Sequence, residues 1–454
     1  MLGRCEVFSS ISCGNTMRRH PQAMIMVCLM LSSCLLGCFG DGAEEDKVTL
    51  VVEEMELQAP AGELFFWTVE SNVEYNIAID GPGFLIDENG VVRDSDNWTY
   101  PAGFNSPGLF MHPLPGNTAI LNISAGERYE SVNVTIVEAA GIVNGESAFD
   151  TIDWLTTDHN NRWCGRASIH DGGDNYAASA EVMKAHMEDI GFDHVEVTEY
   201  EESDLKNVVA YNYGEKYPDE WIVIGGHFDV AYAFTPPGGG TSEGANDDTS
   251  GSTVSLEMAE ALGVMNFDHT VVAALWACEE EGLLGSAAFV DNIPDNVTVK
   301  AYMNFDMVSL NYPIIPPPGY GPYDLSIDVA GGTDENLTQM LEWVQQTVED
   351  ELRYTPDSSN SIDWAAAESC ASDHCSFFSA DYATFNFFSA GGDASFWQEW
   401  HSGSDSLDFM VAKAGGQTQL GSGFNTLVWI SLHLFIHVDN TGDEFQGRWA
   451  LSGA

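Results

Sequence analysis

Two histidines and a set of carboxylates stand at the ends of apolar runs in this chain. They are His227 and Asp229 in Gly226-His227-Phe228-Asp229, and Asp247 and Asp248 in Gly244-Ala245-Asn246-Asp247-Asp248. Glu279 and Glu280 follow in Cys278-Glu279-Glu280-Glu281-Gly282, then Asp306 in Asn304-Phe305-Asp306-Met307 and His401 in Trp400-His401-Ser402-Gly403. Imidazole nitrogen mixed with carboxylate oxygen suits zinc better than magnesium, which prefers oxygen alone. The number of groups suits a pair of divalent ions. Two ions held close together need a carboxylate between them, and Asp247, in a Gly-rich loop ahead of a helical pattern, is placed to project there. Asp229, two residues after His227 on the same side of an extended segment, is a candidate to orient the imidazole. A glutamate beside the ions that is not itself a ligand is a candidate general base for activating water.

These groups need a scaffold that brings them to one place. Trp221–Ile224, Thr270–Trp276 and Val299–Phe305 read as continuous apolar strands, and helical patterns cover 253–262 and 283–290 between and after them. The alternation resumes with a strand at 325–329 and a helix at 335–351. Buried strands alternating with helices predict an α/β fold with a mostly parallel, helix-covered sheet. In open sheets of this kind, ligands bind beyond the carboxyl ends of the strands. His227, the Glu279–Glu280 pair and Asp306 each follow such a strand, so three successive strands deliver them to one edge. Helical spacing also appears over 146–159 and 175–190. Residues 428–438 form an apolar helix, carrying His433 and His437, of core rather than spanning length. Upstream, residues 48–140 show short β-branched and aromatic runs separated by Gly, Pro, Asn and Asp, which predicts a small all-β sandwich domain.

The motifs, taken in order, resemble those of the co-catalytic zinc aminopeptidases, family twenty-eight of the metallopeptidases. The resemblance spans about 146–438. It rests on Gly-His-Phe-Asp at 226–229, Gly-Ala-Asn-Asp-Asp-Thr-Ser-Gly at 244–251, Glu-Glu-Glu-Gly-Leu-Leu-Gly-Ser at 279–286, Asn-Phe-Asp-Met-Val at 304–308, Ser-Asp-His at 372–374 and His401. It implies a fold of zinc-exopeptidase type holding two Zn2+ ions: His227 and Asp306 on one, Glu280 and His401 on the other, and Asp247 bridging. It further implies Glu279 as the base and a metal-bridging hydroxide that attacks a peptide bond at a chain's N-terminus. Asn246 stands where the family usually has Asp, and in an ungapped match Ser369 stands where the bacterial leucyl aminopeptidase has a tyrosine near its active site. Three other readings are carried: a glutaminyl cyclase on the same fold, a carboxypeptidase using Arg162 or Arg166 for the substrate carboxylate, and an inactive surface binding protein.

Composition narrows the partners. Of 454 residues, 15 are Lys or Arg and 70 are Asp or Glu, a formal net charge of −55, so a broad nucleic-acid-binding face is excluded. The substrates expected are peptide or protein N-termini, whose ammonium group a negative site attracts. A solvated acidic surface of this kind suits a salty extracellular setting. Arg18, Arg19 and His20 followed by the apolar run 23–36 predict a leader over 1–37, with Met17 as an alternative start. Leu35-Leu36-Gly37-Cys38 resembles a prokaryotic lipobox, which predicts lipid anchoring at Cys38 on the outer cell surface. The expected order is then an acidic linker 38–47, the β-sandwich 48–140, the peptidase domain 146–438 and a tail 439–454. The later cysteines, Cys164, Cys278, Cys370 and Cys375, lack CxxC metal spacing; Cys370 and Cys375 are near enough to close a short loop, and Cys278, after a strand-like run, reads as buried.

Overall fold

A computed structural model describes residues 47–52, 54–81, 83–93, 97–111, 118–137, 144–164, 173–199, 205–231, 243–308, 325–330, 362–366, 371–388 and 399–440. The predicted leader with Cys38, the tail beyond 440 and the helix over 335–351 lie outside the described residues. So do Arg166, Ser369 and Cys370.

Eight strands form one sheet in the order His194–Glu199, Lys206–Asn212, His269–Trp276, Tyr217–His227, Thr298–Phe305, Thr384–Phe388, Leu325–Ala330, Ile362–Ala366. Tyr217–His227 runs parallel to both of its neighbours, and Thr298–Phe305 runs parallel to Thr384–Phe388. The sheet is nonetheless mixed. The first two strands form an antiparallel ribbon that joins His269–Trp276 antiparallel, and Thr384–Phe388 meets Leu325–Ala330 antiparallel. The strands that read as continuous apolar runs are the central parallel ones, where both faces are covered; all of His269–Trp276 is buried.

The helix Thr249–Gly263 lies against this centre with almost every residue buried. Asp248 caps it, its carboxylate accepting from the Gly251 amide at 2.9 Å. Gly251 lets this first turn sit on the sheet edge, because a Cβ there would collide with the Phe305 carbonyl.

Farther along the same helix Glu257 is buried, with Ser147 Oγ donating to it at 2.6 Å and Thr151 Oγ1 at 2.7 Å. Burial pushes its carboxyl from 4.5 up to about 7, and the two hydroxyls only partly offset that. A carboxyl whose folded pKa lies above its unfolded pKa makes folding less favourable as pH rises between the two values. The protein is therefore expected to lose roughly 3 kcal/mol of stability from this group between about pH 4.5 and pH 7. Glu257→Gln, which keeps an acceptor without the charge, should raise the urea midpoint at pH 8 and leave it nearly unchanged at pH 4.5. An equal effect at both pH values would contradict this account.

The N-terminal strands form three smaller sheets, the largest of five strands with Thr118–Ala125 and Arg128–Val137 as its long hairpin. Alternating burial along that hairpin builds a separate apolar cluster that includes Leu121, Ile123, Val132 and Val134. Residues 48 onward form one compact unit. Phe110 stacks on Trp429 and Phe84 packs, tilted, against His433, both on the terminal helix Gln417–Asn440. Arg93 bridges Asp87 and Asp268 at 2.7 and 2.8 Å. Among the described residues no helix is long and apolar enough to cross a membrane.

Candidate metal centre

His227 ends its strand fully buried. Its Nδ1 lies 3.0 Å from the backbone oxygen of Asp229 and 3.6 Å from that residue's carboxylate. A proton held on Nδ1 by the carbonyl leaves Nε2 as a lone pair, and Nε2 faces Asp247 at 3.4 Å and Glu279 at 3.9 Å. The Asp229 carboxylate also reaches the next strand. It accepts from the amides of Glu279 at 3.0 Å and Glu280 at 3.3 Å, so it holds the next strand's exit against the His227 loop.

Asp247 points one oxygen at His227 and the other at His401 Nε2, 3.1 Å away. His401 Nε2 is also 2.9 Å from Glu280. One nitrogen facing two carboxylates is the arrangement expected where a cation is shared. Among the described residues, His227, Asp247 and Asp306 offer ligand atoms that all lie within 4.8 Å of one another, as do Asp247, Glu280 and His401. Asp247 belongs to both groups. A third group, His227 with Glu279 and Glu280, meets the same limit. The buried atoms His227 Nε2, Asp247 Oδ2, Glu280 Oε1 and Asp306 Oδ1 have no hydrogen-bond partner. Orphaned buried acceptors converging from four elements fit a bound cation set, because leaving them bare costs the full desolvation penalty of each.

The electrostatics agree. Burial pushes Glu279 up to about 10, with Asp306, Asp373 and Glu280 adding to the rise against His227. Burial also lifts Glu280 and Asp373 to about 7 and Asp306 to about 6. Burial opposes charge on His227, yet Glu279, Asp229 and Asp247 outweigh it and push the imidazole well up. His401 rises to about 10 against burial, through Asp247 and Glu280. Asp247 moves the other way: burial would raise it, but the two histidines hold it well below the usual carboxylate range. Carboxylates this crowded need positive charge beside them.

Several neighbours hold these groups in place, and one of them, Asp405, lies outside every motif. Asp405, buried, accepts from the Asn246 amide at 2.9 Å and the Asp247 amide at 3.0 Å, so it fixes the backbone of the shared aspartate. Asp248 does more than cap its helix. It also accepts from Met307 N at 3.0 Å, tying the helix to the strand end that bears Asp306. Beneath that end, Trp276 Nε1 donates to Tyr302 Oη, which donates to Asn304, whose amide reaches Ser372 and Asn386. Asp373 accepts from Ser286 Oγ at 2.5 Å. Trp400, 43% exposed, stacks on His401, whose side chain is 39% exposed, so the site opens to solvent on that side. Cys278 is not a free thiol: it pairs with Cys164, and Cys375 is also disulfide-bonded, to a partner outside the described residues. Arg162 is fully buried with its donors spent on Phe228, Leu155 and His159 carbonyls and on Thr249, so it is not placed to take a substrate carboxylate.

Residues 207–420 match the model of Peptidase family M28, and His227, Asp247, Glu279, Glu280, Asp306 and His401 all fall inside them. A probable leucine aminopeptidase 2 of Aspergillus fumigatus is 35% identical over 112 residues, 24% of this chain and 21% of the relative. An aminopeptidase of Pseudomonas aeruginosa is 36% identical over 93 residues, 20% of this chain and 16% of the relative. The chain thus spans about a fifth of the length of the curated relatives it matches. The crystal structure of the Legionella pneumophila LapA aminopeptidase aligns with a TM-score of 0.49 at 18% identity, covering 66% of this chain and 71% of that one. Over residues 207–420, just under half of its length, the chain is thus similar to peptidase family M28.

Proposed function

We propose that this chain is a zinc-dependent aminopeptidase with two ions sharing Asp247. The observation that carries the reading is the pair of ligand groups meeting at that one carboxylate, His227–Asp247–Asp306 and Asp247–Glu280–His401. The match to Peptidase family M28 and relatives named as aminopeptidases and as probable zinc metalloproteases support zinc and peptide substrates. Bound ions of this kind polarise a carbonyl and lower the pKa of water. Glu279, beside His227 at the mouth of the group, takes the proton of the attacking water and delivers it to the leaving amine. Positive charge next to Glu279 offsets the burial that otherwise keeps it protonated, so it stands ready as a carboxylate. Excess carboxylate around the site holds a substrate ammonium, which favours cleavage at a free N-terminus. The fold reading that goes with this is the zinc-exopeptidase type preceded by a β-sandwich, and the place of action is the outer cell surface through a lipid at Cys38.

The test is a panel of aminoacyl-nitroanilides, assayed with and without added zinc at low and high salt, beside a glutaminyl peptide and a C-terminally blocked peptide. Phenanthroline is expected to abolish hydrolysis and added zinc to restore it. Cyclisation of the glutaminyl peptide without nitroanilide release would replace this reading by a cyclase, and hydrolysis that survives complete metal removal would end it.

A further inference from the structure

The stretch Arg162–Cys164 touches all three loops that bear the ligands of the neighbouring central strands and helix. Arg162 Nε donates to the Phe228 carbonyl, between His227 and Asp229, at 2.5 Å, and the Arg162 carbonyl accepts from Val230 N at 3.1 Å. Arg162 Nη2 donates to Thr249 Oγ1 at 2.6 Å, two residues beyond Asp247. Cys164 is bonded to Cys278, the residue before Glu279, across 114 residues of sequence and with Cα atoms 5.1 Å apart. Nη1 spends its donors on the Leu155 and His159 carbonyls at the end of the helix Gly145–Thr157, so the stretch is itself anchored. Tyr176 closes the group from outside, stacked on Phe228 and 3.6 Å from Cys278 Sγ.

We propose that Arg162 and the Cys164–Cys278 disulfide form a positioning brace for the metal centre. Arg162 sets the His227 loop against the Asp247 loop, and the disulfide sets the Glu279–Glu280 exit against both. A buried arginine that served only to fill space would have no reason to place its donors beside ligands on two separate loops. The forked guanidinium does this in one plane, which an ammonium cannot imitate. Of the two groups that meet at Asp247, the disulfide arm reaches directly the one with His401, through Glu280.

The two arms separate experimentally in the full-length chain. Stepwise zinc affinities are measured by competition with a chromophoric chelator, ion count by native mass spectrometry, and kcat and KM on leucine nitroanilide at saturating zinc. Cys164→Ala/Cys278→Ala is expected to weaken one zinc affinity at least tenfold while the other stays within threefold, and to lower kcat at least tenfold with KM within threefold. Arg162→Lys is expected to weaken both affinities at least tenfold. A role confined to folding would lower the melting temperature yet leave kcat at saturating zinc and both affinities unchanged in the folded fraction, and that result overturns the brace. Should Arg162→Lys not fold, the disulfide variant decides. The inference rests on the aminopeptidase reading only in its kinetic arm. A wild type that binds two ions but releases no nitroaniline removes that reading and leaves the affinities to judge the brace, and a wild type that binds no zinc overturns both.

Discussion

Replacing Glu279 by Gln is expected to leave both ions bound and to lower kcat by about 10³-fold, a loss of roughly 4 kcal/mol of transition-state stabilisation. Gln keeps the volume and the neutral form that burial already favours at this position, so packing around Cys278 and His227 has little cause to change. What disappears is an atom able to hold a proton between water and the leaving amine. KM should stay within a few-fold, because substrate contact with the ions and their carboxylates is untouched. Metal content by plasma mass spectrometry, read beside kcat, separates two roles for this side chain. Glu279 also meets the distance limit for a ligand with His227 and Glu280. Loss of an ion in Glu279→Gln would make it a ligand, and wild-type turnover would remove it from the chemistry.

Asp247→Ala should be the more severe change. Asp247 is the one residue common to the His227–Asp306 group and the Glu280–His401 group, so its removal takes a ligand from both at once. Two histidines that now face it across 3.4 and 3.1 Å would be left pointing at a void. Bound zinc is expected to fall below one equivalent. Activity should drop toward the uncatalysed rate, which lies on the order of 10⁶-fold or more below a typical enzyme. Ala at Asp306 or at His401 strips only one group, and each should retain one ion with residual turnover. The comparison is therefore quantitative: retention of two equivalents of zinc in Asp247→Ala would show that the carboxylate is not shared.

The parts of this arrangement that could be read in the sequence are those where chemistry and local pattern coincide. Trp221–Ile224, Thr270–Trp276 and Val299–Phe305 are continuous apolar runs because parallel strands in the middle of a covered sheet meet no water on either face. The candidate ligands sit at their ends because that is where a side chain can leave the sheet and still be buried. The antiparallel ribbon His194–Glu199 with Lys206–Asn212 was not legible, since its outer strand mixes Val with Glu and Thr and carries no uninterrupted run. Thr118–Ala125 was likewise hidden: its burial alternates, but Ala, Asn and Ser give the alternation little contrast. Asp405 was hidden and Arg162 was singled out only for a substrate carboxylate, because the Asp247 amide and the Phe228 carbonyl that they hold lie 158 and 66 residues away and are backbone groups with no type to recognise. The Cys164–Cys278 bond is hidden for the same reason. Distance along the chain, not chemical obscurity, is what removes such contacts from view. Asp229 shows a subtler limit: the residue was legible, but its carboxylate serves the Glu279 and Glu280 amides while its backbone oxygen serves the imidazole.

The seating of Phe84 and Phe110 on the terminal helix bears on how such a chain can be inherited. The β-rich segment covers Trp429 and His433, and Arg93 reaches Asp268 next to the start of a central strand. A bead on a string can be lost, duplicated or exchanged without consequence for its neighbour. This one cannot, because a substitute would arrive with a different relief and leave the helix's aromatic face wet. Cutting the segment away would therefore uncover Trp429 and His433 and take Arg93 from Asp268.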